Sequence, residues 1–390
     1  HVRLHPPDAD ESRATSEHKF PLAVRFIRSR LYVARAHGNT SIPRGAEITT
    51  INGVAASTLR DTLLHYTAGT GESQRVYRLQ ERFGLLLSAV YGWSPPFEVD
   101  WRAAEGAAPT RQTVRGEAPP PPKPAPFDWR PLGPHIFLFT FNQFKDPDGT
   151  FEGFLERLFE AARRDSVQHL IIDLRRNAGG ASALGDQVLR YLADAPFRQL
   201  TRSEIKVSTA IRDEFISYVP GYLRWLPLQH LHPTLRPLWT NERGATGTIH
   251  FDAIPPHPAA QRFHGRVTLL IGPGTMSSAS LFAASVRALD IGTLVGRPAG
   301  GYATHYGNVV TTRLPASGLR VEMPTSVNYG HSTGPIVPDH RVVLRAADLA
   351  AGVDRALQYA LELAAPQGKV APLQPLNASD WTPSEDVRAP

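Results

Sequence analysis

The chain has 390 residues, 42% of them hydrophobic, which is enough to bury the core of one large or two medium domains. Its 42 Lys and Arg against 36 Asp and Glu give a formal charge of +6, but only five of the cations are lysines and they are scattered, so no nucleic-acid partner is expected. The absence of cysteine excludes disulfides, thiolate metal sites and a cysteine nucleophile.

His1 at the first position in place of Met reads as the start of a processed or trimmed chain. No apolar run reaches the 18 or so residues of a membrane-crossing helix, so no integral membrane segment is expected. The lack of cysteine fits an exported and a cytosolic protein alike; an exported protein, periplasmic or extracellular and of bacterial type, is the expectation.

Residues 20–72 read as a small β-rich unit. FPLAVRFI and RLYVAR are short apolar-rich runs, and IPRGAEITTINGVAA supplies turn residues at Gly45 and Asn52-Gly53. STLRDTLLHYTAG and QRVYRLQERFGLLLSAVYG follow with helical patterns, and FEVDWR with a strand pattern. The next stretch, EGAAPTRQTVRGEAPPPPKPAPFDW with Pro119 to Pro122 in a row, reads as a linker and puts a domain boundary near residue 125.

From Pro134 strands and helices alternate. HIFLFTF, HLIIDLR, RVTLLIG and GTLVGR are strand patterns. Between them lie FEGFLERLFEAARRD, SALGDQVLRYLADA and SASLFAASVRAL, the first with Phe151, Phe154, Leu155, Leu158 and Phe159 on one helical face. Strands separated by helices imply parallel βαβ units, hence an α/β fold. Residues 200–262, with WLPLQHLHPTLRPLW and further prolines, look too irregular for core elements and read as an insertion that covers or lines something.

Two loops fall at carboxyl ends of predicted strands, where ligand sites of α/β sheets gather. In IIDLRRNAGGASAL, the pair Gly179-Gly180 precedes a helix and can turn backbone N–H groups toward developing negative charge. In GPGTMSSASLFAAS, three serines lie within four positions at a helix start. One loop can supply oxyanion donors and the other a nucleophile, which suits acyl transfer.

DLRRNAGG, followed about a hundred residues later by GTMSSASLFAASVRALDIGTLVGRPAGG, resembles the S41 peptidases, the C-terminal processing and tricorn-type serine peptidases. The resemblance implies a ClpP/crotonase-like βαβ core with an N-terminal β-rich PDZ-like domain that captures extended peptides at a sheet edge. The family's motif places the nucleophile two residues after a Thr or Ser, which here makes it Ser277, with Ser278 second. Ser278 and Ser280 otherwise read as helix caps. The backbone N–H of Ser278, with one from Gly179 or Gly180, would form the oxyanion hole. Ser280 and Arg297 stand where the family usually has Glu.

The lysine base of the processing branch has no counterpart, because no lysine occurs between Ser277 and Gly368. The resemblance then points to a histidine, either His1, with its supporting helical domain absent, or His305 in GGYATHYGN on the catalytic rim; imidazole titrates near neutral pH. Around Pro338-Asp339 the region YGHSTGPIVPD offers His331 and Ser332, and no orienting third residue is assigned. The implied division is 1–19, remnant of a helical subdomain; 20–102, PDZ-like with a helical extension; 103–127, linker; 128–365, catalytic core with insertion 200–262; and 366–390, an extended tail.

The expected activity is a serine peptidase acting on polypeptides through an acyl-enzyme. The alternative is a non-catalytic ligand- or peptide-binding protein on the same scaffold, against which the intact pair of motifs argues. Acyl-CoA chemistry is weaker still, since a crotonase-like site needs no nucleophilic serine. His230 and His232 in LQHLHP lack further ligands nearby, so neither metal nor cofactor is expected.

Overall fold

A computed structural model describes residues 3–5, 20–36, 40–103, 105–115, 124–217, 219–223 and 236–364, the first three by backbone alone. Of residues 1–19, only Arg3–His5 are therefore described, and they form a strand, β1, not part of a helix. His230, His232, the Pro119–Pro122 run and the segment 366–390 lie outside the described residues.

A β-rich unit follows. Its antiparallel sheet runs β2 (Leu22–Ile27), β3 (Arg30–Ala36), β4 (Glu47–Ile51), β6 (Phe97–Arg102) and β7 (Thr110–Val114), with β5 (Val54–Ala55) folded back on β4. Asn52 and Gly53 form that two-residue hairpin, both at positive φ as a tight primed turn requires. Helices α1 (Ala56–Leu64), α2 (Glu72–Glu81) and α3 (Phe83–Tyr91) close a core that includes Phe20, Leu31, Ile48, Leu59, Leu79 and Phe97. Strand β7 falls in the stretch that reads as a linker. Thr110–Val114 pair with β6, and Val114 reaches the core, so four polar residues and one valine extend the sheet where composition alone suggests a loop.

The second sheet has the order β17-β14-β13-β10-β9-β8, where β8 is Phe127–Gly133, β9 Ile136–Phe141, β10 His169–Asp173, β13 Arg266–Ile271, β14 Thr293–Gly296 and β17 His340–Arg341. All pairs are parallel except the edge pair β8–β9. The strand sequences are near-continuous apolar runs because both faces are covered. Phe137, Phe139 and Phe141, Leu170 and Ile172, and Leu269 and Ile271 turn to one face, against α4 (Phe151–Arg164), α5 (Ala183–Leu192) and α8 (Ser278–Ala288). Leu138, Ile171, Leu270 and Val295 turn to the other, against α10 (Arg355–Ala364). Successive residues thus serve opposite layers, and the parallel register sends the chain out of β10, β13 and β14 on one rim.

The third sheet corrects the reading of residues 200–262 as too irregular for core elements. That stretch supplies β11 (Arg202–Lys206), α6 (Thr209–Ser217), α7 (Arg236–Thr240) and β12 (Thr246–His250). β11 and β12 join β1, β15 (His305–Arg313) and β16 (Arg320–Tyr329) in an antiparallel sheet. Ile205, Ile211, Leu238, Ile249 and Val310 give it a small core of its own. The strands are five residues long and bury only alternate positions, so their apolar signal is weak beside that of the parallel sheet. The helix α9 (Ala346–Ala351) then leads to α10. Among the described residues no helix is long and apolar enough to cross a membrane.

His169, at the start of β10, is 3% exposed and places Nε2 2.8 Å from Thr268 Oγ1. Burial, with Arg266 nearby, pushes its pKa down to about 4. Below the ordinary histidine value of about 6.5 the unfolded chain binds a proton that the folded chain refuses until about pH 4, so stability is lost as pH falls through that window, by up to about 3 kcal/mol. Urea unfolding between pH 7 and 4.5 is expected to show this slope in the wild type and a flatter one in His169→Gln; parallel slopes would refute it.

Candidate active site

The rim loops after β10, β13 and β14 meet at Ser277. After β13, Gly272 to Met276 turn into α8, and the fully buried Thr275 holds the turn. Its hydroxyl donates to Leu174 O at 2.8 Å and accepts from Gly272 N–H at 3.1 Å. Its carbonyl accepts from Ser280 Oγ and Gly300 N, both at 3.0 Å. One threonine thereby joins all three loops.

Ser277 sits at φ 52° and ψ −125°, a conformation that costs a side-chain-bearing residue about 1–3 kcal/mol. Its half-buried hydroxyl has no hydrogen-bond partner among the described residues. The two competing serines are committed: Ser278 Oγ donates to Gly180 O at 2.6 Å, and Ser280, with no solvent exposure, donates to Thr275 O. The strain and the free hydroxyl coincide at one residue.

The glycine loop after β10 lies directly against it. A Cβ on Gly179, whose φ is +96°, would fall 2.7 Å from Ser277 Cβ and 3.0 Å from Ser278 N. A Cβ on Gly180 would fall 2.1 Å from Phe144 O, so neither position admits a side chain without displacing the loop. The Gly179 N–H already donates to Asn177 Oδ1 at 2.9 Å, which withdraws it from the pair of expected oxyanion donors. Gly180 differs. Its bridge to Phe144 uses the groups on either side, Gly179 O and Ala181 N, so its own N–H and C=O face away from Phe144, and the C=O receives the Ser278 hydroxyl. Neither Gly180 N–H nor Ser278 N–H has an acceptor among the described residues.

Asn177 fastens this loop from inside. It has no solvent exposure; its Nδ2 donates to Phe141 O at 2.7 Å, and its carbonyl accepts Met276 N–H at 2.9 Å. Arg175 fastens it from outside through Asp173 (2.6 Å) and Asp354 (2.7 Å). Burial pushes the Asp354 carboxyl up, but the Arg175 guanidinium holds it below the usual carboxylate range.

The third loop contains Gly301, whose Cβ would fall 3.0 Å from Ser277 N and 2.8 Å from Ser280 Oγ. Sequence reasoning passed over Gly301, although its signal, the pair Gly300-Gly301, resembles the one at Gly179-Gly180. His305 stands four residues on, at most about 14 Å of chain, as the first residue of β15, not in a free loop. It is half-buried. Its Nδ1 lies 2.9 Å from Ala303 O, so Nδ1 carries the hydrogen and Nε2 keeps its lone pair, without a partner among the described residues. Burial lowers its pKa, against a smaller opposing effect of the Ala303 bond, which leaves the imidazole neutral at pH 7. His1 lies outside the described residues. His331 Nε2 is taken by Arg198 O at 2.7 Å, and Ser332 Oγ accepts from Gly334 N–H. Among the described residues no three His, Asp or Glu side chains cluster as metal ligands.

The profile of peptidase family S41 matches residues 136–339, which run from β9 to the approach to β17 and include every loop just described. Similar solved structures are mature CPAF complexed with lactacystin, 16% identical, covering 89% of this chain and 82% of that one at a TM-score of 0.62. A crystal structure of mature CPAF is also 16% identical, covering 89% of this chain and 81% of that one at a TM-score of 0.60. At such identities the likeness is one of fold. No curated protein sequence matches the chain.

Asn177→Ala strands Gly179 N–H and Phe141 O, each at a cost of about 1–3 kcal/mol. A drop of about 2–4 kcal/mol in unfolding free energy is expected by denaturant titration, whereas an exposed neighbour such as Arg176→Ala stays within about 0.5 kcal/mol.

Proposed function

The chain belongs to peptidase family S41 and is a serine peptidase, and on that premise we propose that Ser277 is its nucleophile, with the backbone N–H groups of Gly180 and Ser278 as oxyanion donors. The observation that carries the assignment is the coincidence at Ser277 of a strained backbone, a free hydroxyl and close glycine contacts on two sides. The substrate class is polypeptide, as the family implies.

In this reading Ser277 Oγ attacks the scissile carbonyl carbon while a histidine Nε2 takes the hydroxyl proton. The oxyanion is taken up by the two unpartnered amides of Gly180 and Ser278, and preorganised donors stabilise it in the transition state more than in the ground state. The histidine returns its proton to the leaving amine, then activates a water that hydrolyses the acyl-enzyme. We take His305 as the first candidate for the base: it follows four residues after Gly301, which lies against Ser277, and Ala303 O fixes its tautomer with Nε2 unprotonated. His1, which the family resemblance favours, is the second candidate. The parallel sheet with its covering helices is read as a ClpP/crotonase-like core, and residues 20–102 as a PDZ-like domain with a helical extension.

A fluorophosphonate probe is expected to label the wild type and not Ser277→Ala; persistent labelling of the variant would sink the assignment. His305→Ala and His1→Ala separate the two bases, since loss of the true base is expected to slow labelling by at least about a hundredfold. With His305 as base, its lowered pKa places the acid limb of kcat/KM below pH 6.5, because activity falls only where the imidazole becomes protonated. An acid limb at or above 6.5 excludes it.

A further inference from the structure

Helix α2 belongs to the N-terminal unit yet touches the loops that carry Ser277. Its residues divide by helical period into two opposite faces. Val76 and Leu79 pack on the core of the unit, and Gln80 Oε1 accepts the outward N–H of Phe26 on edge strand β2 at 2.7 Å. On the same edge, Arg25 Nη1 donates to Val24 O at 3.0 Å, and Arg25 also pairs at 3.4 Å with Glu81, which lies two turns on from Gln74 and so on the face of α2 opposite Val76 and Leu79. The first face thus locks the helix to its own sheet.

The second face carries Gln74, Tyr77 and Arg78. Gln74 is 5% exposed; its Nε2 donates to the thioether of Met276, the residue before Ser277, and its Oε1 accepts Thr70 N–H at 2.6 Å. Thr70 Oγ1 donates to Gly300 O at 2.8 Å, beside Gly301. The Tyr77 hydroxyl presses on Gly274 so closely that a Cβ there would lie 2.7 Å from it and 2.4 Å from Arg175 O. Three residues of one helical turn and the turn before it therefore touch the Gly274, Met276 and Gly300 segments.

We infer that α2 is a brace, with Gln74 and Tyr77 as positioning residues that hold the nucleophile loop in its strained conformation, so that the N-terminal unit is part of the catalytic apparatus. The inference rests on the reading of Ser277 as nucleophile. Thr275 and Asn177 fix Ser277 from the core side; on the solvent side the half-buried Met276 side chain is held from α2 by Gln74 Nε2 and, at 3.7 Å, by Arg78 Nη2. A loop kept at positive φ relaxes when one wall is removed, and small displacements of a nucleophile slow acylation strongly.

The test compares Gln74→Ala and Gln74→Glu with Arg82→Ala at the exposed C-terminal end of α2. The glutamate keeps the shape and the Thr70 contact but has no N–H for Met276. Fluorophosphonate labelling and peptide hydrolysis are expected to show kcat lowered about tenfold to a hundredfold by either Gln74 variant with KM unchanged, and both constants unchanged by Arg82→Ala. Hydrogen–deuterium exchange is expected to rise across residues 272–281 in the Gln74 variants and to stay constant in β13. Wild-type labelling rates and exchange in Gln74→Glu would overturn the brace. If the wild type itself resists the probe, the reading of Ser277 has failed, and the exchange measurement still decides whether α2 holds the loop.

Discussion

Asn177 has no contact with solvent, so each polar end of its side chain must find a partner inside the protein or leave a buried group unpaired. It binds Phe141 O with one end and Gly179 N–H with the other, while its backbone carbonyl takes Met276 N–H. Three consecutive strands of the parallel sheet, β9, β10 and β13, are thereby tied together just past their carboxyl ends. The parallel register brings those ends to one rim, and this amide converts shared location into fixed geometry. The close seating of Gly179 on Ser277 and the unpartnered amides of Gly180 and Ser278 follow from that tie.

Much of this was legible in the sequence, for identifiable reasons. The parallel strands are buried on both faces and read as unbroken apolar runs; Phe137 to Phe141 cannot be mistaken for a surface. The glycines at 179 and 180 announce positions where backbone must approach backbone. Strands β11, β12, β15 and β16 were not legible, because a thin sheet with one modest core needs only an isoleucine or valine at alternate places. The choice among serines was legible only through family resemblance. The physical distinction between a strained, free hydroxyl and two committed ones depends on ψ at Ser277 and on the Gly180 carbonyl, neither of which leaves a local signature.

Charge tells a similar story. Arg297 stands where relatives usually carry Glu. Burial lowers its pKa, as do Arg341 and Arg25, and its guanidinium reaches Ser73 Oγ on the N-terminal unit at 3.3 Å. A reversed charge at a motif position thus coincides with a contact across the seam between the two units, as do the bonds from Thr70 and Gln74. Long-range contacts of this kind pair residues more than two hundred positions apart, beyond any windowed reading of the chain.

The backbone at Ser277 carries one more implication. At φ 52° a glycine would sit with less strain, and at the head of α8 the serine side chain provides no capping bond in return. By every local criterion of folding, serine is a poor occupant of this position. On the proposal that Ser277 is the nucleophile, a descendant freed from the demand for hydrolysis could replace it, gain stability and keep the scaffold, so the same fold contains a short route from peptidase to inert binding protein.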